Sequence, residues 1–269
     1  MKKFERIVAL GGMVLIIGSG CSSVKDSLIK GATSGISTGV GRAASERAEQ
    51  GAYKRLAPKS QLPAVKTPGW NQFMALHAQI IFAYSFSVGG FWLGTTPYQP
   101  GDWTKFEFKS KDDPSVIIEK AFLKKTDDGK EWWRVSWTDN QETWMYEALL
   151  TTDGQLLRLR ARDANGNEGE VPVTEGSGMI YAPPTQLTKE SIQGASTGKE
   201  DVKTPAGTFN ADHIVYMATG AEGQVEFWTT DKVPGGAAKY QITDKKEGAV
   251  WTCMLKEMGK DAKTALKSF

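Results

Sequence analysis

The sequence predicts a mainly β protein of the α+β class, in which a curved, half-barrel-like antiparallel sheet packs on one helix and follows a Gly-rich helical tether. Three observations predict this class. Apolar residues recur three or four positions apart within residues 68–90, which is the period of a helix. From residue 91 to residue 255 apolar and polar residues alternate, which is the period of a strand. All nine Trp lie after residue 69, so the packed domain is expected to begin near Pro68.

Residues 1–20 have the pattern of a bacterial lipoprotein signal peptide. Basic residues within the first six positions precede an apolar run, and three small residues separate that run from Cys21. The pattern predicts cleavage before Cys21, acylation of its thiol and anchoring to a membrane. The run is about half as long as a membrane-spanning helix requires. Because Ser22 rather than Asp follows the cysteine, resemblance to the lipoprotein sorting rule implies the outer membrane, with the protein facing the periplasm.

Residues 21–67 differ in composition from the rest of the chain. Gly31, Gly35 and Gly39 recur at every fourth position. Glycine at this spacing lets two helices approach closely, but it also costs helix stability. We interpret the segment as a loosely helical tether between lipid and domain, with a helix-pairing element as the alternative.

Residues 68–90 predict one apolar helix. Gly89 and Gly90 are expected to end it. His77 falls on the apolar stripe, where a hydrogen-bonded core histidine is favoured over a ligand or a base. The predicted stripe consists of Phe73, Met74, His77, Ile80, Ile81 and Tyr84.

Residues 91–255 predict a meander of antiparallel strands with one apolar face. Turn signals such as Asp128-Gly129 and Asn165-Gly166 separate the strands. Residues 174–200 are interpreted as a long connection, and residues 256–269 as a C-terminal tail that is either a short helix or frayed. The alternating segments lie near residues 106–108, 133–137, 144–150, 157–161, 209–217, 224–230, 238–243 and 249–255.

Composition excludes several classes of function. Without residues 1–20 the chain has 30 basic and 30 acidic side chains, so a basic surface for nucleic acid is not predicted. Two His and one remaining Cys do not form a zinc-site pattern, and neither a metal nor another cofactor is expected. Cys253 lies in an alternating apolar stretch and is expected to be a buried structural thiol.

Residues 194–198, Gly-Ala-Ser-Thr-Gly, match the nucleophile-elbow pattern of hydrolases. Asp201 and His213 follow Ser196 in the order that such enzymes use. The elbow requires a strand before it and a helix after it, and this alternation is absent from the predicted elements. The chain is therefore not expected to be an enzyme.

Three phrases together resemble known bacterial envelope proteins. They are residues 98–103 (Tyr-Gln-Pro-Gly-Asp-Trp), residues 204–209 (Thr-Pro-Ala-Gly-Thr-Phe) and residues 233–236 (Val-Pro-Gly-Gly). The arrangement is similar to outer-membrane lipoproteins with a periplasmic sheet domain of the LolA/LolB-like lipoprotein-carrier fold. The resemblance implies a curved sheet around apolar residues or a helix. A carrier would also have an apolar cavity for acyl chains, but no binding residue of the family matches here.

Two sets of strand residues are candidates for binding. The aromatic residues either fill the core or leave part of a curved sheet as an apolar ligand surface. The arginines on one strand either bind phosphates or lipid headgroups, or pair across a turn with Glu168 and Glu170. The aromatic candidates are Trp103, Trp133, Trp137, Trp144, Phe227 and Trp251, and the arginine row is Arg158, Arg160 and Arg162.

These observations predict a membrane-anchored periplasmic lipoprotein that acts as a non-catalytic binding module for a hydrophobic ligand, such as a lipid or an acyl chain. The alternative is a structural or assembly lipoprotein in a cell-envelope complex, with a protein partner at the sheet edge or at residues 31–41. The expected partners are thus the membrane, a hydrophobic small molecule and an envelope protein.

Overall fold

The computed structural model describes residues 68–86, 91–93, 96–110, 114–173, 185–217, 223–244 and 248–269. The predicted signal peptide, Cys21 and the Gly-rich tether lie outside these residues, and so do the two glycines expected to end the helix. Within the described ranges, no helix has both the length and the apolar character needed to cross a membrane.

The described chain has one long helix, one short helix and thirteen strands. Helix α1 is Pro68–Phe86 and helix α2 is Lys189–Gly194. The strands are β1 (Phe91–Trp92), β2 (Trp103–Ser110), β3 (Val116–Lys125), β4 (Glu131–Asp139), β5 (Glu142–Leu150), β6 (Leu156–Arg162), β7 (Glu168–Val171), β8 (Thr185–Gln186), β9 (Ser196–Thr204), β10 (Gly207–Met217), β11 (Gly223–Thr229), β12 (Ala237–Asp244) and β13 (Ala249–Gly259).

Eleven strands form a single curved, open antiparallel sheet. Strands β2 to β7 form a first meander, and strands β9 to β13 form a second. Antiparallel pairing of β13 with β2 joins the two meanders, so β7 and β9 are the sheet edges. Strands β1 and β8 form a separate parallel pair of two residues each. The predicted curved antiparallel sheet on one helix is confirmed.

Helix α1 covers the face of the sheet that we call the inner face, where it contacts β3, β4 and β7. Met74, Ile81 and Phe82 are fully buried in this contact. Burial of one such side chain contributes about 1.5–3 kcal/mol, so packing rather than helix propensity holds the helix in place. Phe73, which was predicted on the buried stripe, is 38% exposed, because the buried stripe is centred on Trp70, Met74 and Ile81 instead.

His77 is a buried core residue, as predicted. Its Nδ1 atom lies 2.6 Å from the Tyr146 hydroxyl oxygen of β5, and the ring packs edge-on against Trp144. Burial lowers the pKa of His77 to about 4, so the ring is neutral at physiological pH.

The start of α1 is attached to the turn between β6 and β7. The indole Nε1 of Trp70 donates a hydrogen bond of 3.0 Å to Asp163 Oδ2. The other carboxylate oxygen of Asp163 accepts the backbone N–H groups of Asn165 and Asn167, each at 2.9 Å. One buried aspartate therefore holds both the predicted turn and the first turn of the helix.

Several elements differ from the predicted ones. Strand β3 was not predicted as a strand, and α2, β8 and part of β9 occupy the segment interpreted as a connection. Seven of the nine residues of strand β9 are polar or charged. Its sequence therefore lacks the apolar–polar alternation from which a strand is predicted. Strand β13 continues to Gly259, where a helix or a frayed tail was expected.

Residues 260–269 run without helix across the opposite face of the sheet, which we call the outer face. The Glu147 carboxylate of β5, fully buried, accepts hydrogen bonds from Ala265 N at 2.6 Å, Thr264 Oγ1 at 2.7 Å and Ser268 Oγ at 2.5 Å. The ring of Phe269 packs 5.4 Å from that of Trp132. This segment is therefore a docked strap, and it buries aromatic residues that the outer face would otherwise expose.

Candidate functional site

A cavity of about 190 Å³ opens on the inner face where the two meanders meet. Its wall is formed by the end of α1, by residues 96–98, by the turn at Gly235 and by the inner side chains of β2, β3, β4, β12 and β13. Most of the lining side chains are aromatic or aliphatic. They include Phe86, Leu93, Phe106, Phe108, Ile118, Phe122, Trp133 and Tyr240.

Strand alternation brings one lysine into this apolar wall. Ile118 and Phe122 of β3 point to the inner face and belong to the core under α1. Lys120 lies between them in the same alternation, so its side chain also lies on the inner face and lines the cavity. It is only partly buried, because part of its surface faces the cavity.

Three aromatic rings surround the Lys120 ammonium. Nζ lies 4.6 Å from the ring centroid of Phe86, 4.7 Å from that of Tyr98 and 6.0 Å from that of Trp133. These distances are typical of cation–π contacts. The Trp133 ring in turn stacks on Phe122, with centroids 4.6 Å apart. The rings thus form an aromatic box around one cation.

Burial lowers the pKa of Lys120 to about 7, because a charged amine loses solvation in an apolar wall. Within the described part of the chain, Lys120 forms neither a hydrogen bond nor an ion pair. The lysine side chain is therefore a cation without an anionic partner at neutral to acidic pH.

A few buried or mutually paired polar groups complete the wall of the cavity. The Tyr98 hydroxyl lies 2.5 Å from Thr104 Oγ1, so these two groups pair with each other. The buried hydroxyl of Thr96 has no hydrogen-bond partner among the described residues. Cys253 lies at the wall beside Tyr240, and burial raises the pKa of both groups well above their usual values.

The aromatic candidates do not form one surface. Trp133 lines the cavity. Trp137 and Trp144 belong to the core under α1, and Phe227 is fully buried beneath the second meander. Trp251 is half-buried. Trp103 lies on the outer face, where its Nε1 donates to Asp261 Oδ1 at 2.8 Å, because alternation along β2 places Thr104, not Trp103, at the cavity.

The arginine row lies on the outer face and pairs with the next strand. Arg158 lies 3.0 Å from Glu170, and Arg162 lies 2.7 Å from Glu168, while Arg160 is 4.0 Å from Glu168. Arg158 and Arg162 also donate hydrogen bonds to backbone carbonyls of the C-terminal strap. These contacts confirm the cross-strand pairing that was predicted as the alternative to headgroup binding.

The hydrolase pattern is not assembled into a triad. The ring nitrogens of His213 lie 2.9 Å from Glu226 and 3.6 Å from Glu200, and Asp201 instead accepts from Asn210 at 2.9 Å. Ser196 lies in strand β9, whose neighbour β10 is also a strand. Among the residues that the structure describes, no group of three or more His, Cys, Asp or Glu could hold a metal ion.

Lys120 was not among the residues predicted from the sequence to form a site. A signal was present, because Val116, Ile118, Lys120 and Phe122 occupy alternate positions, and three of these four are apolar. A lysine in the apolar register of a strand has either to leave the core or to lie at a cavity. Recognising it required β3, which was not predicted as a strand.

No family model matches the sequence, and no curated protein matches it. Several solved structures match part of this chain at low sequence identity. The Pseudomonas aeruginosa MucA/MucB complex structure matches at 10% identity and a TM-score of 0.39, covering 72% of this chain and 57% of that chain. A candidate lipoprotein from Parabacteroides distasonis matches at 10% identity and a TM-score of 0.32, covering 61% of this chain and 97% of that chain.

A candidate outer membrane lipoprotein-sorting protein domain from Vibrio parahaemolyticus also matches, at 10% identity and a TM-score of 0.29, covering 64% of this chain and 89% of that chain. No residue role is transferred from these proteins to this chain.

Proposed function

We propose that this protein is a lipid-anchored periplasmic lipoprotein of the outer membrane whose sheet domain binds a hydrophobic ligand without catalysing a reaction. The anchor is the acylated Cys21 of the signal-peptide pattern. The ligand site is the cavity at the junction of the two meanders. The cavity is the observation that carries the proposal, because a core of this size otherwise packs without voids larger than a water molecule.

The volume of the cavity limits what it holds. A cavity of about 150 Å³ lined by apolar side chains binds benzene, whereas sites for drug-sized ligands span about 300–1,000 Å³. The cavity here, at about 190 Å³, is therefore suited to a short apolar molecule or to one end of a longer one. A complete phospholipid would have to leave most of its mass outside.

Native mass spectrometry of the purified mature protein, followed by solvent extraction, tests the ligand role. A bound apolar molecule is the expected result. The variant Thr152→Trp places a large ring at an exposed position of the cavity wall and should abolish the bound species. Thr143→Trp, at an exposed position of β5 away from the cavity, is the matched control and should retain it. Absence of any bound molecule in the wild-type protein, together with no uptake of added octanol, would refute the proposal.

Fractionation of cells tests the anchor separately. Wild-type protein should label with radioactive palmitate and sediment with outer membranes, whereas Cys21→Ala should do neither. A palmitate label that persists in Cys21→Ala would contradict the assignment of the anchor.

The assembly alternative would use an exposed backbone edge. Strand β9 is the longer free edge of the sheet, but Lys199, Glu200, Asp201 and Lys203 lie along it. Charged side chains on an edge strand oppose pairing with another chain. The described edge therefore does not favour this function over ligand binding, and cross-linking in cells that traps a partner at β9 would reverse that preference.

A further inference from the structure

Lys120 differs from neighbouring cations of β2 and β4 in having no anionic partner among the described residues. On the outer face of the same strands, Lys105 lies 2.7 Å from Glu257 and Arg134 lies 2.9 Å from Glu119. On the inner face, the ammonium of Lys120 lies over the rings of Phe86 and Tyr98 and the side chain lines the cavity. A lysine is rarely placed in an apolar wall without a partner, since charged groups are buried when they are paired.

The aromatic box attracts a cation at this position but provides no hydrogen-bond acceptor for its N–H groups. Ring faces attract the ammonium electrostatically, whereas its three N–H groups need hydrogen-bond acceptors. The unpartnered hydroxyl of Thr96 is a second polar group in the same wall. Among the described residues, neither Lys120 Nζ nor the buried Thr96 hydroxyl thus has a hydrogen-bond partner, and both residues line the same cavity and are able to donate to an oxygen atom.

We infer that this cavity binds the carboxylate end of a short aliphatic acid, with Lys120 Nζ as the charge partner and the Thr96 hydroxyl as a second donor. This inference rests on the proposed function and specifies its ligand class. A carboxylate has a single negative charge that matches the single cation. A phosphate monoester has a charge of about −1.5 to −2 at pH 7, which one lysine would not neutralise. The apolar remainder of the wall then accepts the hydrocarbon.

The affinity of this site for an acid should fall as the pH rises. Below about pH 7 the lysine is charged in the empty site, and above that pH it has to take up a proton when the carboxylate enters. Burial raises the pKa of Tyr98, Tyr240 and Cys253, so these groups stay protonated at pH 6 to 9. The carboxylate of Glu131 accepts the Trp133 indole N–H at 2.9 Å. The titratable groups at the cavity are Lys120, Tyr84, Tyr98, Glu131, Tyr240 and Cys253.

Isothermal titration calorimetry with octanoate and 1-octanol tests the inference. Both probes have the same hydrocarbon chain, and octanoate stays ionised from pH 6 to pH 9. For Lys120→Met we expect octanoate affinity to fall about tenfold or more, the size of a lost charge-assisted hydrogen bond, while octanol affinity stays the same or rises. Lys239→Met removes another lysine that lies over an aromatic ring, 3.9 Å from the Trp228 centroid and away from the cavity, and should change neither affinity.

The outcomes separate this inference from the proposed function. Equal losses of octanoate and octanol in Lys120→Met would indicate a structural role for the lysine and overturn the inference, and so would unchanged octanoate binding. If octanol binds to the wild-type protein and octanoate does not, the hydrophobic site stands and the acid is excluded. If neither probe binds, and native mass spectrometry finds no ligand, the proposed function fails as well.

A measurement on the wild-type protein alone does not depend on the folding of a variant. We expect its octanoate affinity to fall between pH 6 and pH 9 while its octanol affinity stays constant. A constant ratio of the two affinities over this range would overturn the role of Lys120.

Discussion

Replacing Lys120 with Met should stabilise the protein, although it removes the side chain at the centre of the candidate site. Met has a similar length and no charge, so it fills the same space in the wall without requiring solvation. The lysine instead loses solvation when the domain folds, which is why its pKa falls from 10.5 to about 7. Such a conflict between stability and local chemistry is common at functional sites.

The magnitude follows from the difference in pKa between the folded and unfolded states. Each unit corresponds to about 1.4 kcal/mol, so the lowered pKa of Lys120 costs at most about 5 kcal/mol of the free energy of unfolding. Contact with the cavity and with the aromatic rings reduces this cost, and we expect Lys120→Met to gain about 2 kcal/mol at pH 7, or about 4–8 °C in Tm.

The extra stability of Lys120→Met over the wild type should decrease as the pH rises. Between pH 7 and pH 10.5 the unfolded lysine binds a proton and the folded one does not, so the wild-type stability rises with pH. The advantage of Lys120→Met is therefore largest at pH 7 and below, and it shrinks toward zero near pH 10.

Urea unfolding of both proteins at pH 6, 7, 8.5 and 9.5 measures this difference. Lys239→Met is the control and should lose stability slightly, since it removes a cation–π contact worth about 0.5–1 kcal/mol. If Lys120→Met were less stable than the wild type at pH 7, or if its advantage were the same at pH 7 and pH 9.5, burial of a charged amine would not be the dominant effect at this position.

Three further predictions concern other parts of the fold. Glu147→Gln should lower the free energy of unfolding by about 2 kcal/mol and expose residues 260–269 to limited proteolysis, whereas Glu170→Gln at an exposed pair should cost less than about 1 kcal/mol; equal effects would contradict the docked strap. Gly235→Ala and Gly129→Ala both place a side chain at a φ near +85°. The added Cβ at position 235 would lie 2.9 Å from Tyr98 Cε2, whereas at position 129 it would meet no atom within 4 Å, so Gly235→Ala should show the larger fall in Tm in a thermal melt. The Cys253 thiol should resist thiol reagents in the folded protein at pH 8, because burial raises its pKa, and it should react after the protein is unfolded in urea. Rapid labelling of the folded protein would refute its burial.

The predicted elements were correct where the residues themselves have a strong period. Trp133, Val135 and Trp137 alternate with residues of the other face in a way that specifies a strand with one buried face, and the structure confirms β4. Residues 68–90 were predicted as a helix for the same kind of reason. The structure has helix α1 over Pro68–Phe86, and its buried stripe is rotated toward Trp70. Strand β9 failed this test because Val202 is the one buried residue among its nine, and seven of the others are polar or charged.

The outer face shows why sequence patterns do not determine contacts. The alternation in β5 places Glu147 among the outward residues, where a charged residue is expected to meet solvent. The structure instead places it under the C-terminal strap with no exposed surface. Only the return of a segment more than 110 residues away, through hydrogen bonds to Thr264 and Ala265, makes this carboxylate a core residue.

The sequence by itself determined the α+β class, the antiparallel sheet on one helix, the near neutrality of residues 21–269 and the lipoprotein-type pattern at Cys21, because each depends on local period, spacing or composition. Only the tertiary structure decided the candidate site. The cavity exists because β13 pairs with β2, and this pairing joins two meanders that are far apart in the chain. The rings of Phe86, at the end of α1, and of Tyr98, before β2, meet Lys120 of β3 in this cavity. Since those contacts join three separate segments, no local pattern in the chain records them.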